Sequence, residues 1–303
     1  MTEPLVLALF GPTTSGKSAV ADKAARRISA KIVSADSMQA YEGLPILTNQ
    51  PTTPTALVAI WPLSHEGSVG EYQALAHHAI DEALERGRTP VVVGGTGLYL
   101  RAALSDLALP PEPPPGLRER LAEMYGRLGL ERAHELLAER DPAAAARVHP
   151  NDERRVIRAL ELTELGSTLH PHDPRLWSED ARHPTVIFGL EVSREELERR
   201  IAERTERMFA LGVEEEVGRA LEKTVSKTAR HALGLEEIAS LPREEAVEAV
   251  NARTRRYAAY QRKWMRRIPG LVSLSGDRPA GEIADEILEV ARSRQRLPAR
   301  RAG

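Results

Sequence analysis

The string Gly11-Pro12-Thr13-Thr14-Ser15-Gly16-Lys17-Ser18 places two glycines, a lysine and a hydroxyl at the spacing G-x-x-x-x-G-K-[ST], directly after the apolar run 5–10. That spacing suits one task. Glycines let the backbone wrap an oxyanion, the N–H groups that open the next helix point inward, and Lys17 adds a mobile positive charge. Ser18 can reach a Mg²⁺ held by the same phosphates. Something phosphorylated binds here, and the string alone does not say what. A second candidate is Asp36, in Ser34-Ala35-Asp36-Ser37-Met38-Gln39 at the end of another apolar run. A carboxylate there can hold Mg²⁺ through water, accept a proton from an attacking group, or simply cap the following segment. Ser37 and Gln39 alternate with buried neighbours and can offer hydrogen bonds to a base edge. Thr96 lies in a third string, Gly94-Gly95-Thr96-Gly97, with Arg101 on the helix behind it reading as structural.

Two basic stripes add a different chemistry. Arg253, Arg255, Arg256, Arg262, Lys263, Arg266 and Arg267 follow one another with no acidic residue between, interleaved with Tyr257, Tyr260 and Trp264. Uncompensated cations beside aromatics suit phosphates and stacked bases. Arg154, Arg155 and Arg158 form the second stripe, and Arg154 and Arg158 share a helical face.

The elements that must position these residues follow from periodicity. Runs 5–10, 31–34 and 90–93 read as strands, and 18–28 and 72–86 read as helices. Strands alternating with helices predict an α/β fold, a P-loop NTPase-like parallel sheet flanked by helices. Ligands of such sheets bind beyond the carboxyl ends of the strands, so the three strings face one cleft. The Pro-rich segment 109–116 is a stiff connector and the clearest boundary. Beyond it, helices over 117–139, from Asp141-Pro142, and from Asn151 or Asp152 to 165 predict an all-helical insertion, before 185–190 rejoins the sheet as a strand. The expected division is a core in two parts, 1–111 and 184–293, an insertion at 112–183, and a basic disordered tail at 294–303. A long helix over 194–217, another over 243–267, a strand at 272–274 and a helix over 280–293 complete the second part.

Composition removes several classes. With no cysteine among 303 residues, disulfides, thiolate nucleophiles and cysteine-zinc sites are excluded. The nine histidines show no metal-ligand spacing, so no structural metal is expected. A net charge of −2 argues against a protein that coats nucleic acid over its whole surface, and leaves room for a local basic face. No basic leader and no membrane-length run are present, which places the chain in a bacterial-type cytoplasm. There is no N-K-x-D string and no strand ending in Asp-Glu, so the GTPase and motor ATPase readings lose ground.

The combined strings resemble the tRNA dimethylallyltransferase (tRNA isopentenyltransferase) family. The resemblance rests on the phosphate loop, Ser34-Ala35-Asp36-Ser37-Met38-Gln39-Ala40-Tyr41, and Gly94-Gly95-Thr96-Gly97-Leu98-Tyr99-Leu100. It extends to Asn151-Asp152-Glu153-Arg154-Arg155-Val156-Ile157-Arg158, Arg199-Arg200-Ile201 with Gly212-Val213-Glu214-Glu215-Glu216-Val217, and Thr254-Arg255-Arg256-Tyr257-Ala258. It implies transfer of a dimethylallyl group from its diphosphate to N6 of adenosine 37 in tRNA, with Mg²⁺ and with the adenine flipped out of its stack. The phosphate loop (Gly11, Pro12, Thr13, Thr14, Ser15, Gly16, Lys17, Ser18) then holds dimethylallyl diphosphate, helped by Arg230 and His231. Lys17 and Thr14 assist the leaving group, Ser18 binds Mg²⁺, and Asp36 is the general base. Residues facing tRNA would be Asp36, Ser37, Met38, Gln39, Thr96, Arg118, Arg154, Arg155, Val156, Ile157, Arg158 and Arg256, with the insertion gripping the anticodon stem of a tRNA bound by a monomer. The chain departs from the family where a lysine is common at Gln50 and where two basic residues are common at Ala259 and Tyr260. Competing readings are a P-loop small-molecule or nucleoside kinase, a prenyltransferase for free adenine nucleotides, and a nucleotide-gated RNA-binding module.

Overall fold

Val6–Phe10 (β1) is buried along its whole length, as five consecutive apolar residues require of a strand covered on both faces. Around it the computed structural model, which describes residues 5–109, 113–114, 116–169, 178 and 180–295, builds one parallel sheet. Its other strands are Ala30–Ser34 (β2), Thr55–Ala56 (β3), Thr89–Gly94 (β4), Thr185–Glu191 (β5) and Val272–Ser275 (β6). The order is β3-β2-β4-β1-β5-β6. Leu7 stands beside Val91 of β4 and Val186 of β5, so β1 lies between strands that come from before and after the expected insertion. The short β3 had no sequence signal, since two residues carry no periodicity.

One face of the sheet packs on Lys17–Ala25 (α1) and Ala280–Gln295 (α12), where Leu7 and Leu9 meet Val20, Ala24, Ile283 and Ile287. Val69–Glu85 (α2) and Gly97–Leu104 (α3) pack on each other and on the sheet. Ser68 caps α2 by accepting from the N–H of Glu71. Because all the strands run parallel, the turns after β1, β2 and β4 leave the same edge, as predicted. Ala35 ties two of them, its N–H donating to the carbonyl of Val93 at 2.7 Å.

Contacts divide the chain into two units, Leu107–Pro174 and the remainder, Met1–Asp106 with Arg175–Gly303. The helical unit comprises Leu117–Leu128 (α4), Leu130–Arg140 (α5), Pro142–Ala145 (α6) and Glu153–Glu164 (α7). Its core joins Leu121 and Tyr125 of α4, Leu137 of α5 and Val156 and Leu160 of α7. Asp152 is the cap of α7, accepting from the N–H of Arg155 at 3.2 Å.

This unit ends earlier than the sequence division at 183, and Ser178, Asp180 and Arg182 are bonded to the sheet-bearing unit. The buried guanidinium of Arg101 donates to the carbonyls of Ser178 and Asp180, at 3.0 and 3.3 Å. The Ser105 hydroxyl donates to Asp180 at 2.6 Å, and the N–H of Arg182 to Leu104 at 2.8 Å. Parts of the connector (110–112 and 115), of the 168–183 loop (170–177 and 179) and of the tail (296–303) lie outside the described residues. Arg294 and Gln295, assigned to the tail by sequence, belong to α12.

The helices expected at 117–139 and 194–217 are each two. Gly129 and Gly212 adopt φ of 77° and 86°, a conformation that stops one helix and starts the next. The second break separates Arg194–Ala210 (α8) from Val213–Leu221 (α9). Leu235–Ser240 (α10) and Arg243–Met265 (α11) follow.

Candidate active site

β1 delivers the chain at Phe10 into the phosphate loop, and α1 starts at Lys17 with Gly16 in front of it at φ 90°. No acidic residue occupies the first turn of α1 and no side chain caps it, so its N-terminal N–H groups are left to an anion. Inside the loop, Thr14 Oγ1 and Ser15 Oγ are buried with no hydrogen-bond partner among the described residues. Thr14 also holds φ 62°, a costly conformation for a β-branched residue. Unpartnered hydroxyls and a strained residue in one loop describe a cradle organised for a ligand.

Lys17 donates to the carbonyl of Pro12 at 3.0 Å. Burial pushes its ammonium down to about 8; Arg204 adds to the depression and the carboxylate of Asp36 opposes it. Arg204, on α8, donates through Nη1 to Thr13 Oγ1 at 2.5 Å and through Nη2 to the carbonyl of Leu47 at 3.2 Å. One turn earlier Arg200 donates to the carbonyls of Ser15 and Gly276, at 3.4 and 3.2 Å. Leu197 and Ile201 anchor this face of α8 against Ala258 of α11. The loop is therefore served by Lys17, Arg200 and Arg204, where the sequence assigned Lys17 with Arg230 and His231. The signal for the other two was Arg200 and Arg204 four residues apart, visible but indistinguishable from an ordinary solvated helix face.

Asp36 lies in the turn just past β2, two residues beyond its last residue, Ser34. Its Oδ1 accepts from the N–H of Met38 at 3.0 Å, and Oδ2 takes no hydrogen bond from the described residues. One oxygen shapes the turn and the other is available. The charge of Asp36 acts on Lys17 and Arg204 and also on Tyr257 of α11, which groups these side chains around one cleft. Thr96 faces the same cleft. Its hydroxyl lies 3.5 Å from the N–H of Ser37 and 3.4 Å from the Tyr257 hydroxyl, whose proton burial and Asp36 hold firmly in place.

Several expected contacts are already engaged within the protein. Both ends of the Gln39 amide are used: Oε1 accepts from Ser34, and Nε2 donates to the carbonyls of Thr48 and Asn49. Gln50, where the family resemblance leads one to expect lysine, donates to the carbonyls of Gln39 and Tyr41 and so braces the same turn. Buried Glu216 of α9 accepts from the N–H groups of Ile46 and Leu47 and closes that turn from the other side. Arg230 is exposed on the short turn Ala229–His231, whose Ala229 is buried, and pairs with Glu236 at 3.0 Å; His231 is exposed beside it. Among the described residues, the arginines bonded to the phosphate loop are Arg200 and Arg204 of α8.

In the helical unit, Val156 and Ile157 are core residues, so the expectation that they face RNA is corrected: an apolar pair at these α7 positions is buried against α4 and α5. Arg118 and Arg158 both donate to Glu161, a carboxylate with no exposed side-chain surface. Arg154 and Arg155 are exposed. On α11, Arg253 pairs with Glu237 at 2.7 Å. Arg255, Arg256, Lys263 and Arg266 are exposed, with Tyr260 at 54%. Tyr257 points inward to Thr96 and Trp264 packs over Gly97, so of these aromatics Tyr260 is the one presented to solvent.

Comparison with known proteins shows the family of the chain. The family model described as IPP transferase matches residues 39–268, and one described as isopentenyl transferase matches 4–56. The chain belongs to the IPP transferase family. A relative from Streptomyces coelicolor, named tRNA dimethylallyltransferase, is 40% identical over 287 residues, covering 90% of this chain and 91% of its own. The crystal structure of a full-length tRNA isopentenylpyrophosphate transferase from Bacillus halodurans is 30% identical, with TM-score 0.70 and 97% of each chain covered. A eukaryotic dimethylallyltransferase captured acting on tRNA is 25% identical, with TM-score 0.79, covering 99% of this chain and 82% of that one. Membership places the chain among prenyl-transferring enzymes that use a diphosphate substrate. The kinase reading of the loop finds no support among these relatives. Among the described residues no helix is long and apolar enough to cross a membrane.

Proposed function

We propose that this protein transfers the dimethylallyl group of dimethylallyl diphosphate to N6 of adenosine 37 in tRNA, acting in the cytoplasm as a monomer. The observation that carries the reading is the carboxylate of Asp36, set between the cations of the phosphate loop and the Thr96 turn. In the transfer, the bond from the prenyl carbon to the diphosphate oxygen breaks as the bond to N6 forms. The N6 proton passes to Asp36, whose Oδ2 is free for it. Charge gathers on the departing diphosphate, where the α1 N-terminus, Lys17 and Arg204 receive it and Thr14 and Ser15 offer hydroxyls. Base flipping would bring the adenine past Ser37, Met38 and Thr96. The exposed Arg154, Arg155 and Arg256 supply phosphate contacts to the anticodon arm.

Mg²⁺ fits the donors present. The exposed hydroxyl of Ser18, on the first turn of α1, joins diphosphate oxygens as a hard oxygen set. Among the described residues no cluster of three or more acidic or histidine side chains could hold a metal alone, so the ion would arrive with the diphosphate. When bound it supplies positive charge to the leaving group.

The test is to incubate the protein with unmodified tRNA, dimethylallyl diphosphate and Mg²⁺, digest the tRNA and locate the added mass. A dimethylallyl adduct on adenosine 37 is expected, with no dependence on ATP. An unmodified tRNA, with ATP consumed in a parallel reaction, would overturn the proposal.

A further inference from the structure

The inner side of α11 carries Tyr257, Gln261 and Trp264, spaced to share one face. Gln261 is 2% exposed and its amide is used at both ends. Oε1 accepts from the N–H of Thr13 at 2.7 Å, and Nε2 donates to the carbonyl of Gly95 at 2.9 Å. A backbone N–H can only donate and a carbonyl can only accept, so the amide has one possible orientation. The loop it reaches leaves no room for a side chain. A Cβ on Gly95 would lie 2.2 Å from Nε2 of Gln261, and one on Gly97 would lie 2.2 Å from the ring of Trp264. The glycines of that string thus permit the approach of α11.

The two bonds join the two halves of the cleft. Thr13 belongs to the diphosphate cradle. Gly95 precedes Thr96, whose hydroxyl meets Ser37, the neighbour of Asp36. We propose that Gln261 is a positioning residue for the transfer, its amide fixing the separation between the loop that holds the diphosphate and the loop that meets the acceptor base. It touches neither reacting atom and acts through Thr13 and Gly95. The inference rests on the prenyl-transfer reading above. An in-line displacement needs nucleophile, carbon and leaving oxygen held together, and a misplacement of about 1 Å costs on the order of 100-fold in rate. Only an amide of this length serves both loops. Glutamate can accept from Thr13 but cannot donate to Gly95, and it brings negative charge to the diphosphate. Methionine fills the volume and makes neither bond.

The experiment compares wild type, Gln261→Met and Gln261→Glu with tRNA and dimethylallyl diphosphate, measuring kcat, both KM values, equilibrium tRNA affinity and the melting temperature. Gln261→Met is expected to lower kcat by about 10- to 100-fold, with the diphosphate KM and the tRNA Kd within about threefold of wild type. Gln261→Glu is expected to lower kcat and also to raise the diphosphate KM. A folded Gln261→Met with kcat within about twofold of wild type, or a kcat loss matched by an equal loss of tRNA affinity, overturns the positioning role. If Gln261→Met does not fold, Gln261→Glu, which keeps the Thr13 bond, decides on the same kcat criterion. A wild-type protein that fails to prenylate tRNA overturns the transfer reading and this inference with it; wild-type activity with unaffected variants overturns this inference alone.

Discussion

At Lys17, burial works against the charge that the loop needs. Free, its ammonium titrates at about 8. A bound diphosphate brings opposite charge and raises that value, so the complex holds more protons than the free protein. Affinity for dimethylallyl diphosphate should therefore weaken as pH rises through about 8, by up to about tenfold per pH unit. Calorimetry in buffers of different ionisation heat checks this through proton uptake on binding, and Lys17→Met should remove that component. At Asp36 one atom separates structure from chemistry. Asparagine keeps an oxygen for the N–H of Met38 but cannot take the N6 proton. Asp36→Asn should lower kcat by about 10²- to 10⁴-fold and leave tRNA affinity within about threefold. Loss of tRNA binding with an unchanged rate per bound complex would make Asp36 a recognition residue instead.

Among the elements, α7 shows how a buried charge organises a helical unit. Burial pushes the Glu161 carboxyl up, but hydrogen bonds from Arg118 and Arg158 outweigh it and hold the group below its usual range. A depressed folded value means a contribution that is complete above the unfolded pKa, about 4.3, and is lost as pH falls through the folded one. Glu161→Gln should destabilise this unit by about 1–3 kcal/mol and flatten its stability profile below pH about 4, as read by urea unfolding followed with proteolysis. Arg118→Met should cost less, because the Arg118 side chain is already 48% exposed and a second arginine still serves the carboxylate. An equal cost for the two would mean that the pair acts through packing. This bridge also marks the limit of sequence reading. Arg118 and Arg158 were visible as cations, but Glu161, one turn beyond Arg158, gave no sign that it is buried and takes both. Strings whose parts adjoin, such as the phosphate loop and 34–39, were legible because their neighbours in space are their neighbours in sequence. Arg204 and Gln261 were not, because their partners lie 191 and 248 residues away.

For the molecule as a whole, a net charge of −2 sets a weakly repulsive background for RNA, and binding depends on where the free cations are. Arg154 and Arg256 are exposed and make no ion pair among the described residues, while Arg253 is held by Glu237. The slope of log K for tRNA against log salt should shrink when Arg154 and Arg256 are changed to Gln, by roughly 0.7–0.9 for each phosphate left without its arginine. Arg253→Gln should leave the slope unchanged. An unaltered slope in the double variant would return both residues to the role of ordinary solvated surface.

The position of β1 has a consequence for synthesis. Its register to β5 pairs Val6 with Thr185, so the middle of the sheet waits for a strand that leaves the ribosome long after it. The helical unit at Leu107–Pro174 draws its core from nearby helices and can fold during that wait. The phosphate loop, among the first segments made, waits longer still: its Thr13 hydroxyl meets Arg204 only once α8 is made, and its N–H meets Gln261 only once α11 is made. An arrested chain ending before α11 would carry the phosphate loop, α1 and Arg204 but lack the Gln261 amide that ties Thr13 to Gly95.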